Sequence, residues 1–103
     1  MLEGSFFNAA VSKAYYAAFH WTLALLMLKG LEPKTHRGAT QLLHLHYVEP
    51  GTLSTATAAA LGQLETYREL SDYNAKASFD QARAEAELEQ AETFIAACRP
   101  LVG

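Results

Sequence analysis

Three groups able to carry positive charge fall within four positions, Lys34, His36 and Arg37, in the run Lys34-Thr35-His36-Arg37-Gly38. Such a cluster on a short, ordered loop could hold a phosphate. The plainer alternative is a loop histidine that caps the next helix. Farther along, Arg68 and Asp72 stand four apart in Arg68-Glu69-Leu70-Ser71-Asp72-Tyr73. On a helix that spacing lets the guanidinium and the carboxylate meet, an exposed ion pair worth roughly a few tenths of a kcal/mol. His44 and His46 resemble a metal pair in print. Two residues apart on a helix is about 200° of rotation, so they cannot share one ion. His20 lies among Tyr15, Tyr16, Phe19 and Trp21, where a hydrogen-bonded core or interface histidine is the expectation. The chain has no Gly-rich phosphate loop, no Cys/His zinc spacing and no Ser-His-Asp arrangement. No metal and no cofactor is therefore expected.

Four helical segments must position these residues. The first runs from about Ser5 to Lys29, with Ser5 or Asn8 as its cap and Gly30 as the left-handed residue that ends it. Its apolar residues cover nearly every face, which predicts burial on more than one side. Leu31 to Gly38 is a loop that turns at Pro33. A shorter helix is expected from about Ala39 to Val48, stopped by Pro50-Gly51. Ser54 or Thr55 caps a third helix that runs to about Asn74, with Ala60, Leu64, Tyr67 and Ser71 toward the core and Leu61 and Leu70 beside them. Ser78-Phe79-Asp80-Gln81 has the form of a capping box. The last helix follows to about Arg99, with Ala84, Leu88, Ala91, Ile95, Cys98 and Val102 as its packed seam. Glu85, Glu89 and Glu92 mark a solvated face. No strand-like alternation and no repeat occurs. The fold class is all-α, an antiparallel up-and-down bundle in one domain, residues 1–103.

Composition narrows the function. The chain has 103 residues, enough for one domain. Half are hydrophobic and 18% are charged, a globular balance. A formal charge of −3 disfavours a strongly basic nucleic-acid binder while allowing a local basic patch. The uncharged run Ala14 to Leu28 is shorter than the roughly 20 residues of a membrane helix. No membrane association is expected. Nor is a secretory signal, and the lone Cys98 suits a reducing cytoplasm.

The run Ala14-Tyr15-Tyr16-Ala17-Ala18-Phe19-His20, the Thr35-His36-Arg37-Gly38 loop and the Arg68…Asp72-Tyr73 helix, in this order, resemble the HEPN family, over roughly residues 3 to 100. These are small helical domains of prokaryotic nucleotide- and RNA-linked systems. The resemblance implies that a helix preceding Glu3-Gly4 is missing from this chain. It implies a homodimer, with a minimal nucleotidyltransferase or antitoxin as partner and an RNA or nucleotide as ligand. In the family's ribonuclease toxins an Arg and a following His line a cleft between two protomers. The His exchanges a proton with the RNA 2′-hydroxyl and the Arg stabilises the phosphate. The matching cluster here is Arg68, Asp72 and Tyr73, with Lys34, His36 and Arg37 as ligand-binding residues. Positions 73, 74 and 75 hold Tyr, Asn and Ala where the His would fall. Aspartate ordinarily titrates near about 3.9 and tyrosine near about 10, so neither replaces it at neutral pH. The reading that follows is a non-catalytic nucleotide- or RNA-binding protein, or partner of a nucleotidyltransferase, in a toxin–antitoxin-type system. The alternative is a metal-independent ribonuclease toxin with a variant active site, in which His36 serves.

The first helix is apolar on more faces than one small bundle covers, and such surface marks an interface. Light scattering at roughly tens of micromolar, in the range of interface affinities, should report a dimer. A monomer there would contradict the expectation.

Overall fold

A computed structural model describes residues 2–73 and 81–102, with side chains over 7–70 and 81–102. Helix α1 spans Leu2–Leu28, α2 His36–Leu43, α3 Thr55–Tyr73 and α4 Gln81–Val102. α2 runs straight on into a wider π turn over His44–Val48. The described residues form an all-α bundle with no strand.

Each helix end has an identifiable cause. α1 is already helical at Leu2, so neither Ser5 nor Asn8 caps it. Phe7 packs against Val11 and Ala84, and that contact carries the helix back past the polar residues. At the other end Gly30 takes φ 72°, a conformation that favours glycine. Gly30 N–H donates to Met27 and Leu31 N–H to Leu26, closing a Schellman motif. Lys29 N–H also bonds Leu26, which leaves the Leu25 carbonyl outside the ladder. The hydroxyl of buried Tyr47 donates to it, and the π turn is thereby tied to α1.

α2 begins at His36, earlier than Ala39. Thr35 is extended and its Oγ1 accepts from Gly38 N–H at 2.8 Å. Thr35 is therefore the cap, and His36, Arg37 and Gly38 form the first turn rather than a loop. The glycine that reads as a breaker supplies the donor for the cap. Ser54 caps α3, its Oγ accepting from Thr57 N–H at 3.0 Å. Ser78 of the expected capping box lies outside the described residues.

The core is the seam between α1 and α4, the most extensive contact in the molecule. α1 contributes Val11, Tyr15, Ala18, Thr22 and Leu25, spaced alternately by four and three. α4 contributes Ala84, Glu87, Ala91, Phe94 and Cys98. Val11 meets Ala84 near the start of both helices, and Arg99 lies over Trp21 toward their ends, so the two run in the same direction. α3 runs opposite to both: Tyr67, late in α3, takes a hydrogen bond from Arg83, early in α4. Leu61 and Leu64 of α3 close the core, while Leu70 is exposed. Cys98 is buried, which pushes its thiol up to about 11 and leaves it unreactive near neutrality. None of the described helices is long and apolar enough to cross a membrane.

The α4 seam departs from the apolar reading at alternate positions. Ala84, Ala91 and Cys98 are buried as expected, but Glu87 and Phe94 replace Leu88 and Ile95 at the centre. Leu88 and Ile95 are only half-buried. Glu87 is 1% exposed, and its Oε1 has no hydrogen-bond partner among the described residues. Burial raises its carboxyl pKa above the usual carboxylate range, opposed in part by Arg83 one turn earlier. A folded value above the unfolded one means the folded state binds the extra proton. The group's contribution is then fully present below the unfolded value and is lost as pH rises through the folded one. Glu87→Met should therefore raise stability by about 1–3 kcal/mol at pH 7, the cost of an unsatisfied buried group. The gain should be smaller at pH 4. Urea unfolding followed by circular dichroism at the two pH values measures both; equal stability of the two proteins at pH 7 would contradict the assignment.

Candidate nucleotide- and RNA-binding site

One tyrosine gathers the polar residues of three helices. Tyr15 is 1% exposed, its ring fixed by the α1 seam. Its hydroxyl emerges where α2 and α3 approach α1. There it lies 2.6 Å from His36 Nδ1 and 3.4 Å from Glu65 Oε2, to which it donates. Glu65 Oε2 and His36 Nδ1 are 3.8 Å apart.

His36 reaches this point because Thr35 starts α2 immediately before it. Phe19, one turn after Tyr15, stacks on the face of the imidazole, with centroids 4.3 Å apart and planes 20° from parallel. Glu65 and Arg68 are three apart on α3 and so share a face. The Arg68 guanidinium lies over the Tyr15 ring at 5.1 Å and over the Tyr16 ring at 5.7 Å. Both rings offer their negative faces to the cation. The cluster opens on one side: Tyr16 is 42% exposed and the His36 side chain 40%.

Burial raises the Tyr15 phenol well above the ordinary tyrosine range. The Glu65 carboxylate adds to this, and Arg68 works against it. The phenol therefore keeps its proton and acts as a neutral donor and acceptor between an acid and an imidazole. The arrangement presents a cation, an imidazole and an exposed aromatic ring together. Those are groups able to hold a phosphate, to hydrogen-bond a ligand and to stack on a base.

Of the residues singled out in the sequence, the structure brings Arg68 and His36 to one ring. Arg68 is half-buried. The backbone of Asp72 and Tyr73 continues α3, but their side chains lie outside the described residues, and so does the expected Arg68–Asp72 pair. Lys34 and Arg37 are exposed; Lys34 borders an apolar groove with Leu23, Met27, Leu31 and Pro33. His20 is exposed rather than buried among aromatics. His44 lies 4.0 Å from Glu49. No three His, Cys, Asp or Glu side chains converge on a metal position among the described residues. Glu65 escaped the sequence reading. Its signal was present: a carboxylate three residues before Arg68 occupies the same helical face.

A family model described as HEPN domain matches residues 1–101. The chain belongs to the HEPN domain family. Among curated relatives, "UPF0332 protein PH1297" of Pyrococcus horikoshii is 38% identical over 61 residues, 59% of this chain and 43% of that protein. "Putative toxin MJ0605" of Methanocaldococcus jannaschii is 30% identical over 95 residues, 92% of this chain and 70% of the relative. "Putative toxin MJ0142" of the same organism is 26% identical over 95 residues, 92% of this chain and 65% of the relative. The chain thus spans less than half of the first relative and about two thirds of the other two. No solved structure matches it. In this HEPN domain the Tyr15–Tyr16 pair, the Thr35–Gly38 turn and Arg68 of α3, distant in sequence, meet in one cluster.

The cap on α2 sets where His36 sits, so it is the local feature to break. Thr35→Ala should cost about 1 kcal/mol of stability, the usual loss of a side-chain N-cap. Thr35→Ser, which keeps the hydroxyl, should cost clearly less. Denaturant unfolding of the three proteins checks this; equal losses in both variants would show that the hydroxyl is not what holds the turn.

Proposed function

We propose that this HEPN domain binds RNA or a nucleotide through the Tyr15–Tyr16–His36–Glu65–Arg68 cluster, as a component of a toxin–antitoxin-type system. The observation that carries the reading is the placement of Arg68 over Tyr15 and Tyr16 with His36 on the same phenol. A guanidinium held over two aromatic rings is restricted in position and so pre-organised for a phosphate. The exposed ring of Tyr16 supplies a stacking surface next to it. The domain works as a homodimer in this proposal, with a minimal nucleotidyltransferase or an antitoxin as its protein partner, in the cytoplasm. The names of the two Methanocaldococcus relatives agree with such a system.

A second reading, a metal-independent ribonuclease, is favoured by one specific observation. His36 brings to the Arg68 cluster the proton-exchanging group that α3 lacks after Arg68. The histidine would come from the first turn of α2 instead of from the arginine's own helix.

One experiment separates the two. Single-stranded RNA is titrated with wild type and with Arg68→Ala in the presence of a chelator, and the RNA is recovered and sized. The binding reading predicts intact RNA and affinity weakened about tenfold or more in Arg68→Ala, as expected for loss of a charge-assisted contact. Cleavage by wild type that disappears in both Arg68→Ala and His36→Ala would establish the ribonuclease instead. Unchanged affinity in Arg68→Ala with no cleavage would remove the site.

A further inference from the structure

We infer that Tyr15 and Glu65 set the tautomer of His36, keeping the proton on Nδ1 and presenting Nε2 as a lone pair that accepts the 2′-hydroxyl of an RNA ligand. The inference rests on the proposed binding reading for its ligand, and on hydrogen-bond geometry together with a protonated phenol for its tautomer.

Three heteroatoms meet at the Tyr15 hydroxyl: the phenol oxygen, Glu65 Oε2 at 3.4 Å and His36 Nδ1 at 2.6 Å. A carboxylate only accepts, and the phenol has one proton to give. Suppose that proton went to Nδ1. Glu65 Oε2 would then face lone pairs only, 3.4 Å from the phenol oxygen and 3.8 Å from Nδ1, with no hydrogen between them. The other assignment pairs all three atoms within the protein, without calling on solvent at the Glu65 side chain, which is 22% exposed. Nδ1–H donates to the phenol oxygen, and the phenol O–H donates to Glu65. Burial and the Glu65 charge keep the phenol protonated, which this chain of bonds requires.

With Nδ1 engaged, Nε2 is the nitrogen left to a ligand, and it makes no hydrogen bond among the described residues. The imidazole face is covered by Phe19, yet the side chain remains 40% exposed. With Nδ1 turned to Tyr15 and one face against Phe19, Nε2 is among the ring atoms left for a ligand to reach. In this tautomer it accepts and does not donate, so it suits a hydroxyl rather than a bare phosphate oxygen. The Arg68 cation over the same phenol ring suits the phosphate. A hydroxyl donor beside a phosphodiester is the pattern of RNA, and DNA lacks the hydroxyl. Tyr15 and Glu65 are positioning residues in this scheme, since both act through His36.

The test has two arms on the full chain. The first reads the His36 tautomer by nitrogen NMR at pH 8, with the signal assigned from its loss in His36→Gln. Wild type should show Nδ1–H. Glu65→Ala removes the acceptor, so the phenol proton turns to Nδ1 and the spectrum should shift to Nε2–H. Glu65→Gln retains a carbonyl acceptor and should keep Nδ1–H. Circular dichroism confirms that each variant is folded. An Nε2–H wild type, or a tautomer unmoved in Glu65→Ala, overturns the inference. The second arm compares a single-stranded oligoribonucleotide with its deoxy counterpart. Wild type and Glu65→Gln should prefer the ribose form by about fivefold, one net hydrogen bond. Glu65→Ala should lose the preference. Equal affinities in wild type overturn the ligand assignment. If neither oligonucleotide binds, the proposed function fails, and the tautomer arm then decides the positioning role alone.

Discussion

The hydroxyl of Tyr15 is a polar group that three helices share. Its ring belongs to the α1–α4 seam and is almost wholly buried, so the hydroxyl has little freedom to move. α2 is held to that hydroxyl by His36, and α3 by Glu65 and by Arg68 against the ring. A buried phenol left without partners would cost the fold on the order of 1–3 kcal/mol. The partners it finds are the titratable residues with which a phosphate or a nucleotide could be recognised. Core packing and site geometry are therefore coupled through one side chain. Repacking the seam around Val11, Ala18 or Ala91 would move the cluster as well.

That coupling explains the short first turn of α2. A histidine on a free loop would sample many positions. Here Thr35 caps the helix, Gly38 supplies the donor to the cap, and Phe19 lies flat against the imidazole. A Cβ at Gly38 would stand 3.0 Å from Thr35 Oγ1, so a larger residue there would press on the cap itself. Thr35 and Gly38 thus act on the site through backbone geometry, while His36 acts in it directly. The π turn has a similar role farther from the cluster. It carries Tyr47 to the Leu25 carbonyl, which the end of α1 leaves outside the backbone ladder.

The fold was legible in the sequence because helical periodicity and the Gly30 stop are local signals. The all-α class, the α3 cap at Ser54 and the buried Ala84, Ala91 and Cys98 follow from spacing and capping chemistry. What was not legible came from tertiary packing. Leu88 and Ile95 read as core because they are apolar, yet Glu87 and Phe94 are the residues buried there, and no apolar periodicity places a glutamate at a seam. Gly38 read as the end of a loop because glycine disfavours helix interiors, and the cap that uses its N–H depends on Thr35. Part of the candidate site was visible: Arg68 and His36 stood out by residue type, and Tyr15 and Tyr16 by the resemblance. Their meeting was not visible, because Tyr15, His36 and Glu65 are brought together by helix packing across long stretches of chain. Glu65 shares a helical face with Arg68, a signal that local spacing does carry.

The central claim is that the Tyr15 cluster, and not another surface, takes the ligand. The most direct measurement is amide chemical-shift mapping of the labelled protein as single-stranded RNA is added. The account predicts shifts centred on Tyr16, His36, Glu65 and Arg68, from three helices that are far apart in sequence. Shifts centred instead on the groove between α3 and α4, at Ala60, Ala86 and Thr93, with the Tyr15 cluster unmoved, would contradict it.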